Sequence, residues 1–348
     1  MKRRLQQVLL ACPGFAALCR LLTRNHVRVL MYHRFAPDAS NERAVGAPML
    51  RTQAALIARH HDLWTPDDHL DHLEGKRPGE RCPVVVTCDD GYADFHTVAF
   101  PVFRDHRIPA MLFVATGFVD GRTWFWWDRL AHLLAAAPGW RGEFTVGDRD
   151  LVLDLTDGET RARAWNTIAD RCRFLPDAQK EAALRRLAAT LGVDPTEQPA
   201  PGYEPVTWDQ VREMAAAGIL FGAHTVTHPI LSRVPVADAG QEIAASRDRL
   251  EAMTGAPVRW FAYPQGGPAD WNQEVRGQVA AAGLRGCYVA YQNLLPREDP
   301  YALPRYCVLG DPLHFRWLLC GAEWLILRLR RRIGLSAAPG ADYWAGTD

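Results

Sequence analysis

The 348-residue sequence predicts an α/β fold: a distorted (β/α)7-type barrel with a helical insertion and amphipathic terminal helices. Three observations lead there. Seven short apolar or β-branched runs recur along the chain, helix-like stretches with readable ends lie between them, and polar residues of unusual chemistry follow four of the runs directly.

The runs fall at 27–32, 84–88, 110–115, 219–223, 258–262, 286–290 and 306–309. Thr207 is placed to cap a helix that continues to Ala217 and stops at Gly218. A second helix from about Ala237 stops at Gly255, and a third from Asn272 to Ala282 stops at Gly283. Strand alternating with helix implies a parallel sheet of βα units. Residues 120–205 break the rhythm. They hold Trp124, Trp126, Trp127, Trp140 and the charged run 177–191, and read as a long, mostly helical insertion between two strands. The resulting plan is an amphipathic helix over 1–26, a barrel over 27–312, and an amphipathic helix and tail over 313–348.

Composition narrows the function classes. Forty basic residues balance forty acidic ones, and the chain is 48% hydrophobic, so a disordered or collagen-like protein is excluded. Zero formal charge argues against a nucleic-acid partner. The eight cysteines contain no Cys-x-x-Cys pair, and several sit in apolar runs, as buried thiols of a reducing compartment do. The first residues, Met-Lys-Arg-Arg and a leucine-rich stretch, resemble a leader, but Gln6, Gln7, Pro13 and Arg20 interrupt it and no small-x-small cleavage site follows. A cytoplasmic protein is expected. Nothing in the sequence fixes an oligomeric state.

Asp89 and Asp90 follow the strand 84–88 within Thr87-Cys-Asp-Asp-Gly-Tyr92. Alone, Asp-Asp-Gly reads as a turn, yet two adjacent carboxylates stay ionised together only beside a cation. His224-Thr-Val-Thr-His228 follows another strand, and four-residue spacing on a helical turn puts both imidazoles on one face. One carboxylate with two imidazoles is a donor set for a divalent metal that leaves a position open for water. His33 ends the first strand and Tyr263-Pro-Gln-Gly266 follows the fifth, so all four strand ends are expected on one barrel rim. His60, His61, His69 and His72 lie in Asp-rich helical sequence and are expected on the solvated surface. An iron oxygenase with two histidines and a carboxylate is disfavoured by the βα alternation.

Thr87-Cys-Asp-Asp-Gly91 resembles the Thr-Phe-Asp-Asp-Gly motif of the polysaccharide deacetylases, the family of the chitooligosaccharide-deacetylase homology domain. His224-Thr-x-x-His228 resembles their His-Ser/Thr-x-x-His motif, and Phe261-Ala-Tyr-Pro-Gln-Gly266 is similar to a variant of their third motif. Met31-Tyr-His-Arg34, 109–114 and Leu303-Pro-Arg305 also resemble members, so the likeness spans about 27–310. The resemblance implies a metal-dependent hydrolase that removes acetyl groups from N-acetylhexosamine units of a glycan; with a cytoplasmic protein expected, that glycan would be a polysaccharide or a lipid-linked precursor. It further implies Asp90, His224 and His228 as ligands of a divalent metal, zinc foremost, and Asp89 as general base. The backbone N–H of Gln265 would hold the oxyanion. Two departures stand out. Ala262 occupies the place of an arginine that orients the base, with Arg259 three positions too early; and the family's late Leu-x-His acid has no match beyond a poorly spaced Leu313-His314, leaving His33 as a competing acid. A non-catalytic glycan-binding relative is the rival reading.

The ends carry a last signal. Lys2, Arg3 and Arg4 open the chain, and Trp317, Leu318, Leu319, Trp324, Leu325, Ile326 and Leu329 are interleaved with and followed by Arg328, Arg330, Arg331 and Arg332. Such helices either rest peripherally on the inner membrane face or simply cover the barrel ends.

Overall fold

The computed structural model describes residues 2–38, 44–195, 198–292 and 299–333; the predicted tail over 334–348 lies outside them. The barrel strands are β1 (Arg28–Tyr32), β2 (Val84–Cys88), β3 (Met111–Val114), β4 (Leu220–Ala223), β5 (Trp260–Ala262), β6 (Gly286–Tyr288) and β7 (Tyr306–Cys307). All pair in parallel, in the order β6-β5-β4-β3-β2-β1-β7, and a short strand, Leu63–Trp64, adds to β2. The chain leading into β7 then meets the far edge. Leu303 donates its N–H to Cys287 and accepts from Val289, while Tyr306 pairs with Leu30 of β1. One irregular segment therefore touches both edges of the sheet.

Alternation along the strands sets what lies inside. Val29, Val85, Met111, Phe113, Trp260, Ala262, Tyr288 and Leu303 pack together as the inner cluster. Leu30, Tyr32, Val84, Val86, Cys88, Leu112, Val114 and Phe261 face the surrounding helices. Both faces are buried, which is why these strands read as continuous apolar runs in the sequence. The same parity carries past the strand ends: Asp89 continues the inward series of Val85 and Thr87.

The helices begin with α1 (Lys2–Ala11) and α2 (Phe15–Leu22). After β3 and the insertion come α3 (Trp208–Ala216), α4 (Val236–Thr254) and α5 (Gln273–Ala281), and the last helices among the described residues are α6 (Pro312–Leu319) and α7 (Ala322–Arg332). Thr207 caps α3 reciprocally with Gln210, and Asn272 caps α5 through Val275 N–H at 2.9 Å, as their positions in the sequence predict. α4 stops at Gly255, whose left-handed φ of 69° suits the residue without a Cβ.

Residues Asp120–Pro205 form a compact unit of their own. Its core joins Leu130, Leu134, Phe144, Leu155, Ile168 and Leu187. Helices Trp126–Ala136, Gly158–Cys172 and Asp177–Leu191 supply most of it, with an antiparallel hairpin, Arg141–Val146 with Arg149–Asp154. The hairpin was not expected from the sequence, since its strands are largely polar and only Phe144, Val146 and Leu153 turn inward. The expectation for the histidines at 60–72 also needs correction. His61 and His69 are buried, because His61 bonds the Cys82 carbonyl at 2.7 Å and His69 packs on the Tyr288 ring inside the barrel.

Candidate metal centre and active site

Asp90, His224 and His228 converge: one ligand atom from each lies within 4.8 Å of the others. The Asp90 carboxylate stands 3.6 Å from His224 Nε2 and 3.5 Å from His228 Nε2. Both aspartates and His224 are buried.

Local backbone geometry produces this convergence. Asp90, Thr225, His228 and Gln265 all have φ in the left-handed region, at 77°, 67°, 61° and 58°. Non-glycine residues seldom adopt that region, and it gathers here at one end of the sheet, as strained backbone does at functional sites. The segment 224–228 is accordingly a loop and not the helical turn that the spacing suggests, although the two imidazoles still meet edge to face with centroids 4.8 Å apart. Glu242 of α4 fastens that loop. Its carboxylate accepts from Val226 N–H at 2.7 Å, Thr227 N–H at 2.9 Å and the Thr227 hydroxyl at 2.7 Å.

The Ala262 carbonyl lies 2.7 Å from His224 Nδ1. A proton on Nδ1 satisfies that contact and leaves the Nε2 lone pair facing Asp90, the tautomer a metal ligand needs. Two imidazole nitrogens and one carboxylate oxygen are borderline-soft and hard donors of the kind divalent zinc accepts, so the residues fit the ion the sequence implies. Without a cation the charges share protons. Burial disfavours a proton on His224 but the Asp90 and Asp89 carboxylates outweigh it and raise its affinity; burial and the neighbouring His224 lower His228 to about 3.

Asp89 lives in a different setting. Arg305 donates from both terminal nitrogens to its two oxygens, each at 2.7 Å, and also reaches the Thr87 hydroxyl at 3.2 Å and the Val289 carbonyl at 3.1 Å. Burial pushes the Asp89 carboxyl up, but the guanidinium, with His224, holds it below the usual carboxylate range. Arg305 is fully buried and has no role in the sequence reading beyond its place in Leu303-Pro-Arg305. It stands against Asp89, where the arginine absent from position 262 was expected to act. Arg259 does not fill that place, since it precedes β5 and pairs with Asp67 at 3.8 Å.

His33 follows β1, half-exposed, with Nε2 4.0 Å from Asp89 Oδ2. Gln265 lies three residues beyond Ala262 in the loop after β5. His314 sits in the first turn of α6, where its backbone N–H turns onto Asp311.

Residues 173–287 match a family model described as polysaccharide deacetylase. A search of curated protein sequences returned no match. Among solved structures the fold is similar to the Streptococcus pyogenes deacetylase PplD in complex with acetate, at 16% identity and a TM-score of 0.55 over 82% of this chain and 93% of that one. It is also similar to IcaB from Ammonifex degensii (19%, TM-score 0.55, 85% and 97% covered) and to the BpsB deacetylase domain from Bordetella bronchiseptica (17%, TM-score 0.50, 81% and 95%). The match over residues 173–287 and the shared fold make this chain similar to the polysaccharide deacetylases.

Proposed function

We propose that this chain is a hydrolase that removes acetyl groups from N-acetylhexosamine units of a glycan, with Asp90, His224 and His228 holding a divalent metal and Asp89 acting as base. One observation carries the reading: two adjacent carboxylates sit in opposed settings, Asp90 against two imidazoles and Asp89 against a guanidinium. A zinc ion bound by the first set supplies Lewis acidity and lowers the pKa of water toward about 7.

The chain's own residues do the rest. Asp89, kept ionised by Arg305 and oriented through both oxygens, takes the proton from a water that attacks the acetyl carbon. Gln265 N–H, in the loop beside Ala262, is assigned to the developing oxyanion. His33, next to Asp89 and open to solvent, is assigned to protonate the departing amine. The C–O bond forms, the C–N bond breaks, and the products are acetate and a free amino sugar. The deacetylases among the similar structures, one of them holding acetate, support the same reaction.

Acetate release from a panel of acetylated glycans, with and without chelator, tests the proposal. Release from an N-acetylated member that chelator abolishes supports it. No release from any member sinks it in favour of a glycan-binding relative, which the sequence supports through Ala262 and the unmatched late histidine; Arg305 weakens the first of these and leaves the second standing.

A further inference from the structure

The four terminal helices form a layer with a core of its own. Leu10, Cys19, Trp317, Cys320 and Ala322 are buried together, and Phe15 stacks on Trp317 at 5.9 Å. His26 stacks on Trp324 at 4.7 Å, and Arg3 pairs with Asp311 at 2.8 Å. These contacts fold the ends onto the barrel and use up one apolar face of each helix.

A second apolar set remains outside. Leu5 and Val8 on α1, Leu18, Leu21 and Leu22 on α2, and Ile326 and Leu329 on α7 with Ile333 just beyond are exposed by 37–62%. Within each helix they recur at intervals of three or four residues, so each set occupies one face. Elsewhere among the described residues, the exposed large apolar side chains are Val152, Phe174 and Leu309. Exposed apolar surface is thus concentrated where the barrel gains nothing from it.

Charge follows the same division. Segments 1–26 and 312–333 carry ten lysines and arginines against one acid, Glu323, and that carboxylate accepts from Trp317 Nε1 at 2.8 Å. Because the whole chain is neutral, the remainder is acidic by nine charges. Among the described residues no single helix is long and apolar enough to cross a membrane; α1 and α2 pass that test only as a pair, bent by 95°. A bent apolar pair rimmed with arginine suits the plane of a bilayer surface.

We propose that this layer is a docking surface for an anionic lipid bilayer, its apolar rows entering the interface and its arginines meeting the headgroups. Charge selects this occupant over a second copy of the chain, since two such faces would bring nine positive charges against nine.

Co-sedimentation of the full chain with vesicles of phosphatidylcholine alone and of phosphatidylcholine with phosphatidylglycerol reads the proposal. Binding to the mixed vesicles only is expected. Arg330→Gln with Arg331→Gln should weaken it about tenfold or more, and Leu21→Gln with Leu22→Gln should do likewise, both with unchanged melting temperature. If the leucine variant melts early, the arginine variant decides alone, since its side chains are exposed at the helix end. Sedimentation with neither vesicle, equal sedimentation with both, or a concentration-dependent dimer abolished by the leucine changes would each overturn it.

Discussion

Arg305 grips Asp89 through two parallel hydrogen bonds of 2.7 Å and so ties β7 to the end of β2 across 216 residues of chain. Both partners are buried, and the fork of the guanidinium fixes the plane of the carboxylate as well as its charge.

Removing the guanidinium strands a buried carboxylate, so Arg305→Ala should lose about 3–5 kcal/mol of stability in denaturant melts. Arg305→Lys returns the charge without the fork. It should recover part of the stability yet lower kcat for acetate release with little change in KM, because an ammonium does not hold both oxygens. Wild-type kcat in Arg305→Lys would remove the positioning role.

Glu242 touches neither aspartate, but it holds the loop that carries both histidines. Glu242→Ala should weaken zinc binding by about tenfold in a competition titration with a chelating dye, the scale of outer supports at metal sites. Unchanged affinity would mean that the left-handed backbone at Thr225 and His228 holds the loop without help.

Gly222 sits where strand β4 crosses the barrel interior. A Cβ there runs into the Phe113 ring and comes within 3.1 Å of the Trp260 carbonyl. Gly222→Ala should therefore cost about 1–3 kcal/mol by overpacking, read as a lower denaturation midpoint with an unchanged slope.

His61 sets an acid dependence away from the site. Burial and the nearby Arg28 lower it to about 3, while its bond to the Cys82 carbonyl opposes the shift. The unfolded chain takes up a proton below about pH 6.5 and the folded one does not. This histidine's contribution is thus complete above that pH and falls by roughly 1.4 kcal/mol per unit as pH drops toward 3. His61→Gln should flatten the fall between pH 6 and pH 4 in melts of wild type and variant.

Strand positions and helix ends were legible because each rests on local rules: apolar runs buried on both faces, Thr207 and Asn272 as caps, Gly255 as a stop. The meeting of His224 and His228 with one of the paired aspartates was legible through residue type and position after strands, whereas Asp90 as that aspartate was implied by the family resemblance alone. Arg305 was not, since its meaning comes from the segment that meets both sheet edges and brings it beside a residue far away in sequence. The helical turn at 224–228 was misread because a four-residue spacing suits a helix, whereas Thr225 and His228 reach the same side through left-handed φ. His61 and His69 resemble their polar neighbours in sequence and are buried only by tertiary packing.

Metal content measured alongside acetate release separates the different roles proposed for the two aspartates. Asp89→Asn is expected to retain bound zinc and release no acetate, and Asp90→Asn to lose both. Loss of zinc from Asp89→Asn with retention in Asp90→Asn would contradict those roles.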